Sequence, residues 1–264
     1  MKKERLDNLL VDRGLVSSRE RAKALIAAGK VLVDQQKVDK PGATVRVEAQ
    51  LQLTAQLPYV SRGGLKLEGA LRAFGIEPGG MVVMDVGAST GGFTDCILQG
   101  GAKKVYAVDV GYGQLAWKLR NDPRVVNLER TNIRYLQREA VEEEGVDLIL
   151  IDTSFISIEK FLPHLLGFLK EGGILLGLIK PQFEVGKGEV GKGGVVKDPA
   201  LHQKAIDRIS AFSRELGLRV LGVLESPLLG PKGNKEFFIH LLKKSHSALI
   251  EKRSTDNKQF SVDQ

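Results

Sequence analysis

The chain has 264 residues, 42% of them hydrophobic and 27% charged, with a formal net charge of +7. That is the profile of a folded globular protein able to bury a core without disulfide staples, and it excludes a disordered or fibrous chain. One cysteine, Cys96, excludes an intramolecular disulfide and suits a reducing compartment, so a cytoplasmic location is expected. The positive excess fits a polyanionic partner (RNA, DNA or an anionic membrane) and equally fits simple solubility.

In chain order, the first residues, Met1 to Asn8, lack the apolar core of a signal peptide. No uninterrupted apolar run anywhere approaches the ~18 residues of a membrane-spanning helix. The four histidines, His164, His202, His240 and His246, lack metal-ligand spacing, so no metal is expected. Leu6, Leu9 and Leu10 share one helical face, and Gly14 ends that helix. Ser17 and Glu20 have the spacing of a capping box, which predicts a second helix through Ala22, Leu25 and Ile26 that stops at Gly29. Val31-Leu32-Val33 and Val38 read as a strand pair around a polar turn, and Thr44-Val45-Arg46-Val47 as another short strand. The second helix carries Arg19, Arg21 and Lys23, with Arg13 before it and Lys30 beyond. This basic edge suits a phosphate backbone, although a solvated charged face has the same composition.

Arg5-Leu6-Asp7, Ser17-Ser18-Arg19-Glu20-Arg21-Ala22 and Ile26-Ala27-Ala28-Gly29-Lys30-Val31 together resemble the alpha-L RNA-binding module of a small-subunit ribosomal protein. The resemblance implies a small α+β RNA-binding domain over residues 1–57, with Arg5, Arg13, Arg19, Arg21, Lys23 and Lys30 as RNA contacts. Many members of that family place an Asn-Gly turn after the first strand. Here the turn is Asp34-Gln35-Gln36-Lys37, which weakens the hairpin signal.

Pro58 and the Gly63-Gly64 pair punctuate the chain, predicting a linker at 58–62 and a second domain over 63–245. Seven strands are expected there, at Val82–Val86, Val105–Val108, Val125–Leu128, Leu148–Ile151, Ile174–Ile179, Arg219–Leu224 and Phe237–Leu242, alternating with helical stretches. Such alternation argues for an α/β fold with a mostly parallel sheet covered on both faces. Gly186–Gly194, rich in Gly and Lys, is expected to be mobile, and residues 246–264 to form a polar tail.

The strand Val82–Val86 runs into the Gly-rich turn Gly87-Ala88-Ser89-Thr90-Gly91-Gly92 and then a helix, a device that lets backbone approach a ligand. Asp109 closes the following strand at the distance expected of an acid that binds ribose hydroxyls. Ser89 stands where the dinucleotide fingerprint has its second glycine. That argues against pyrophosphate, which demands very close backbone approach. The stretch resembles the nucleotide loop of S-adenosylmethionine methyltransferases. The resemblance implies that cofactor and a site made by Asp85, Gly87, Ser89, Gly91, Gly92, Phe93, Thr94 and Asp109. Asn132, Ile133 and Tyr112 are weaker candidates for its border.

Four charged residues fall at strand or helix ends: Lys66 at a helix start, Asp152 after Leu148–Ile151, Lys180 after Ile174–Ile179 and Glu236 at the opening of the last strand. Ligands of doubly wound sheets gather at the carboxyl ends of the parallel strands, so Asp152 and Lys180 share a crevice with Gly87. Glu236 joins them if the last strand is antiparallel. Taken singly, each would serve equally as an ordinary surface ion pair. Together they suit transfer of a methyl group to a ribose hydroxyl, which must lose its proton as it attacks.

Ser61-Arg62-Gly63-Gly64-Leu65-Lys66-Leu67, the Asp85–Asp95 stretch, Asp152-Thr153-Ser154-Phe155-Ile156-Ser157, Ile179-Lys180-Pro181-Gln182-Phe183-Glu184 and Gly233-Asn234-Lys235-Glu236 resemble the TlyA family. These are bacterial "hemolysin A" proteins regarded as ribosomal RNA 2'-O-methyltransferases. The likeness covers nearly the whole chain and implies a Rossmann-like, FtsJ-type class I methyltransferase domain with a seven-stranded sheet and an antiparallel last strand. Its catalytic tetrad would fall on Lys66, Asp152, Lys180 and Glu236. Lys180 would then be the base, Asp152 and Lys66 would tune it, Glu236 would orient the group, and the substrate would be cytidine in ribosomal RNA or ribosomal subunits. Thr153 departs from the apolar residue expected there. Competing readings are base methylation through Cys96, amide methylation, a pore-forming hemolysin, and a ribosome-assembly factor that binds RNA without catalysis. Asp152-Thr153-Ser154-Phe155 lacks the Asn-Pro-Pro-Tyr pattern that amide methylation favours, and no membrane segment supports a pore.

Overall fold

The computed structural model describes residues 2–54 and 58–244; Leu57 at the predicted domain boundary and the expected tail at 246–264 lie outside the described residues. The chain divides into two compact units, Met1–Leu65 and Lys66–Gln264.

In the first unit the elements are β1 (Lys3–Arg5), α1 (Leu6–Asp12), α2 (Arg19–Ala27), β2 (Val31–Val33), β3 (Gln36–Val38), β4 (Thr44–Arg46) and β5 (Leu51–Leu53). Leu6 and Leu10 of α1 close on Ala22, Leu25 and Ile26 of α2 and on Val31, and all six are buried. The helix cap is Ser18, not Ser17 as the spacing suggested, and its Oγ accepts from the Arg21 N–H at 3.2 Å. That hydrogen bond satisfies one of the orphan amides of the first turn. β2 pairs antiparallel with β3 and β5, while β1 pairs with β4. The hairpin forms without an Asn-Gly turn because Asp34 and Gln35 both take positive φ, 49° and 67°. The Asp34 carboxylate helps hold that geometry, accepting from Gln50 N–H at 2.8 Å and from Arg46 at 2.9 Å. Short polar side chains tolerate this region best.

Helix α3 (Arg62–Phe74) begins in the first unit and continues into the second, which follows with β6 (Val82–Val86), α4 (Gly92–Gln99), β7 (Lys104–Val108), α5 (Trp117–Arg120), β8 (Val125–Leu128), β9 (Val146–Ile151), α6 (Leu162–Leu165), β10 (Leu169–Ile179), α7 (Pro181–Glu184), α8 (Pro199–Glu215), β11 (Leu218–Glu225) and β12 (Phe237–Lys243). Helix α3 starts inside the predicted linker, at Arg62. The seven strands form one sheet in the order β11-β12-β10-β9-β6-β7-β8. β10, β9, β6, β7 and β8 are mutually parallel, and β12 runs antiparallel to both of its neighbours. Val82–Val86 is buried at all five positions, as a strand covered on both faces must be. The core runs from Met84 and Val86 through Ile149 and Ile151 to Phe161, Phe168 and Ile239.

Gly186–Gly194, expected to be mobile, is tied down. Glu189 pairs with Lys204 at 2.5 Å. Asn234, 3% exposed, accepts from Val196 N–H and donates to the Gly194 carbonyl, both at 3.0 Å. Composition reads glycine freedom correctly but is blind to an amide placed far along the chain to absorb it.

Candidate active site

The loop after β6 is built on two backbone requirements. Gly87 has φ +88°, and a Cβ there would lie 2.6 Å from the Asp152 carbonyl oxygen, so only glycine lets the ends of β6 and β9 meet. Gly91, φ +90°, starts α4 where a Cβ would strike Leu119 at 2.3 Å. Ser89 also has positive φ, 49°, and its N–H donates to Asp109 at 2.8 Å. The other Asp109 oxygen accepts from Gly111 N–H at 2.7 Å. The acid that closes β7 thus braces the loop that follows β6.

These elements border a cavity of roughly 400 Å3 at the carboxyl ends of the parallel strands. Gly87, Ser89 and Asp109 line it, as do Asn132 and Ile133, with Val86, Val110 and Phe161 supplying apolar wall and Asp152 to Ile156 closing one side. A carboxylate beside a glycine-cleared turn and an apolar wall fits a nucleoside with a short zwitterionic arm. The other predicted cofactor residues sit behind this lining. Asp85 and Thr94 are fully buried and fastened together, the carboxylate accepting from Thr94 N–H at 3.0 Å and from its hydroxyl at 2.7 Å. Burial, with the charges of Asp152 and Asp109 adding, pushes the Asp85 carboxyl up to about 7. Phe93 packs near Phe238, their ring centroids 6.1 Å apart, and Gly91 and Gly92 shape the helix start. Tyr112 is not in the lining: its ring covers the Arg130 guanidinium at 4.0 Å.

The four charged residues form two ion pairs. Lys66 Nζ lies 2.6 Å from Glu236 Oε2, and Lys180 Nζ lies 2.6 Å from Asp152 Oδ1. The second contact is electrostatic rather than a well-directed hydrogen bond, and Lys180 donates instead to Ser154 Oγ at 3.1 Å. Sheet register makes the pairs neighbours. Ile179 pairs with Phe237 across β10 and β12, so Lys180 and Glu236 occupy the next register position; Ile151 pairs with Gly177, so Asp152 follows at the same end. Lys66, Lys180 and Glu236 are buried, with 8%, 7% and 1% of their surface exposed. Burying charge to that degree requires partners, which the pairing supplies. Gly230 makes room for Glu236: a Cβ there would lie 1.9 Å from Glu236 Oε1.

Sequence reasoning missed Ser154 and Gly230, and also Phe155. Phe155 is 90% exposed and adopts φ +69°, a conformation rare for a bulky residue and characteristic of functional sites. Its ring lies 5.3 Å from that of Phe183. Both rings stand three residues beyond a member of the Asp152–Lys180 pair. No periodicity or propensity signals such a residue.

In the N-terminal unit, much of the predicted basic edge is engaged locally. Asp7, fully buried, accepts from Arg5 at 2.9 Å and from Arg19 at 3.1 Å. The Arg5 hydrogen bonds, then Arg19, hold its carboxyl well below the usual range. About half of each guanidinium side chain, 47% and 48%, still faces solvent. Arg13 donates to the Ala49 carbonyl at 2.8 Å and Arg21 to the Tyr59 carbonyl. Lys23 and Lys30 are half-buried. Among the described residues no group of three or more His, Cys, Asp or Glu could hold a metal ion.

Residues 59–243 match the model of the FtsJ-like methyltransferases. The chain belongs to that family. Ahead of the FtsJ-like region, residues 4–51 match the S4 domain, in agreement with the module read from the basic helix. The FtsJ-like chain is 48% identical over 257 residues, 97% of its length and 96% of the relative's, to TlyA of Mycobacterium tuberculosis, named a 16S/23S rRNA (cytidine-2'-O)-methyltransferase. It is 49% identical over 243 residues, 91% of its length and 86% of the relative's, to YqxC of Bacillus subtilis, whose name also assigns it to rRNA methylation. A solved structure from Streptococcus thermophilus, described as a hemolysin, is 42% identical and covers 98% of this chain and 99% of its own, with a TM-score of 0.73. No helix among the described residues is long and apolar enough to cross a membrane.

Proposed function

We propose that this FtsJ-like protein methylates the 2'-hydroxyl of a cytidine ribose in ribosomal RNA, with S-adenosylmethionine as donor and the cytoplasm as its place of work. The observation that carries the reading is the pair of ion pairs, Lys66–Glu236 and Lys180–Asp152, at the sheet end that also holds the Gly87 cavity.

The bound donor supplies an electrophilic methyl group on a sulfonium sulfur. Displacement of the neutral thioether by a ribose oxygen would require the hydroxyl to give up its proton. Lys180 Nζ would take it up as the free amine, after giving its own ammonium proton to solvent. Asp152 and Ser154 hold the amine from one side, and Glu236, anchored by Lys66, stands at the neighbouring register position. Asp109 would accept the donor's ribose hydroxyls, and Ser89 and Gly87 would leave room for its amino-acid arm. The S4 domain, with the exposed edges of Arg5 and Arg19 and with Arg13, Arg21, Lys23 and Lys30, would hold the RNA backbone. A non-catalytic assembly role leaves the buried Lys66–Glu236 pair and the buried Lys180 at this sheet end without a purpose.

Lys180→Ala should abolish methyl transfer to ribosomal RNA while the donor still binds, as read by nucleoside mass spectrometry and by calorimetry with S-adenosylmethionine. Equal 2'-O-methylcytidine in ribosomal RNA from cells with and without the protein would refute the substrate.

A further inference from the structure

Strand pairing holds β9 as far as Ile151 and β10 as far as Ile179, where β12 is its partner. Asp152, whose N–H still donates to the Val86 carbonyl at 2.9 Å, and Lys180 are the first residues past those ends, and Ser154 lies two positions further out. Two side chains bind these departing segments to each other. Glu184, the last residue of α7 and 2% exposed, accepts from the Ile158 N–H at 3.0 Å. Arg208, midway along α8, grips both oxygens of Glu159 at 2.7 and 2.5 Å and gives a further N–H to the Glu184 carbonyl at 2.7 Å. One guanidinium therefore spans the segment that carries Asp152 and the helix that follows Lys180, and one buried carboxylate ties the same two a second time.

We propose that Arg208, Glu159 and Glu184 form a clamp that sets the spacing of Lys180 and Asp152, and that they are positioning residues for methyl transfer. This rests on the reading of Lys180 and Asp152 given above. Glu184 stands four positions past Lys180 and Ile158 six past Asp152, so a shift at the clamp reaches the ion pair through very little chain. A planar fork fits a carboxylate in one orientation only, which makes arginine the residue for fixing a register. Burial pushes the Glu184 carboxyl up, and its second oxygen has no hydrogen-bond partner among the described residues. A carboxylate held on such terms is a poor device for stability alone and a good one for geometry.

The test uses the full chain, ribosomal subunits from cells lacking the protein, and radiolabelled S-adenosylmethionine. Misplacement on the order of 1 Å can cost about 100-fold. Arg208→Met and Glu184→Ala are therefore expected to lower kcat by about 10- to 100-fold, with KM for subunits and Kd for the donor within about threefold of the parent. Glu184→Gln keeps an oxygen for Ile158 N–H and should retain at least about a third of the rate, a rescue that burial of charge alone would not give. Joining Arg208→Met to Glu184→Ala should cost less than the product of the two single effects, because both release the same segments. Arg208→Lys, which keeps the charge but loses the fork, covers the case in which the larger changes prevent folding, and about a 3- to 10-fold loss is expected. A kcat within twofold of the parent in Arg208→Met or Arg208→Lys, with only Tm lowered, would overturn the clamp. So would equal losses in Glu184→Gln and Glu184→Ala. Parent protein that transfers no methyl group to any ribosomal RNA would instead sink the reading beneath it, a distinct outcome.

Discussion

Asp85 illustrates how a single side chain can be legible in type while its surroundings are not. It stands on a strand that feeds a cofactor loop, but every atom of it is buried, and its partner is Thr94 at the start of α4. Its carboxyl titrates near 7, chiefly because burial disfavours the charge. From about pH 4 to 7 the unfolded chain releases this proton while the folded chain keeps it, so rising pH favours unfolding. Asp85→Asn should flatten the fall in unfolding free energy across that window, a difference of a few kcal/mol, in denaturant titrations at successive pH values. An unchanged slope would remove the buried-acid account. Phe155 is the opposite case, an exposed ring at strained φ in the lining of the cavity that Asp152 also borders. A flipped cytosine could stack on it, and such stacking is worth about 1–3 kcal/mol per base. Phe155→Ala should accordingly weaken binding of the RNA substrate by about 5- to 100-fold while leaving donor affinity alone, as measured by filter binding and calorimetry.

Among the elements, the β6–α4 turn is the one in which local chemistry and tertiary contact agree most closely. Glycine is needed at 87 for its φ of +88° and for the approach of the Asp152 carbonyl. Gly87→Ala should destabilise the second unit by about 2–5 kcal/mol, the sum of left-handed strain and a backbone clash, and should abolish donor binding. Thermal unfolding and calorimetry read both, and a stable variant that still binds the donor would show the turn to be compliant. The motif was visible because a glycine-rich turn after an apolar strand is a sequence-local device. The contact with Asp152 was not, because it joins residues 65 apart in the chain. The capping serine shows the limit of local reading even over a few residues: Ser17 and Ser18 differ by one position, and only the backbone geometry selects Ser18.

Over the whole molecule, charge and fold share the same arginines. Arg5 and Arg19 neutralise the buried Asp7, so the basic edge of the S4 domain is partly structural. Arg19→Ala should lower both Tm and RNA affinity, whereas Lys23→Ala should lower affinity alone and reduce the salt slope of binding by about 1. Asp7, held below the usual range, contributes stability above about pH 4 that is lost as acid protonates it, adding acid sensitivity to the N-terminal unit. RNA binding that is independent of salt would contradict an electrostatic hold.

The sequence by itself determined the alternation of strands and helices, the S4-like basic helix, the glycine turn and the four charged positions. Each of these is written in local pattern: hydrophobic period, turn residues, and charge at a strand end. The tertiary structure alone decided the rest. It matched Lys66 with Glu236 and Lys180 with Asp152, hid Asp85, tied down Gly186–Gly194 through Asn234, and bound the two strand-end segments through Arg208 and Glu184. The physical reason is distance: a pairing across 24 to 170 residues follows from sheet order and packing, which no window of sequence contains.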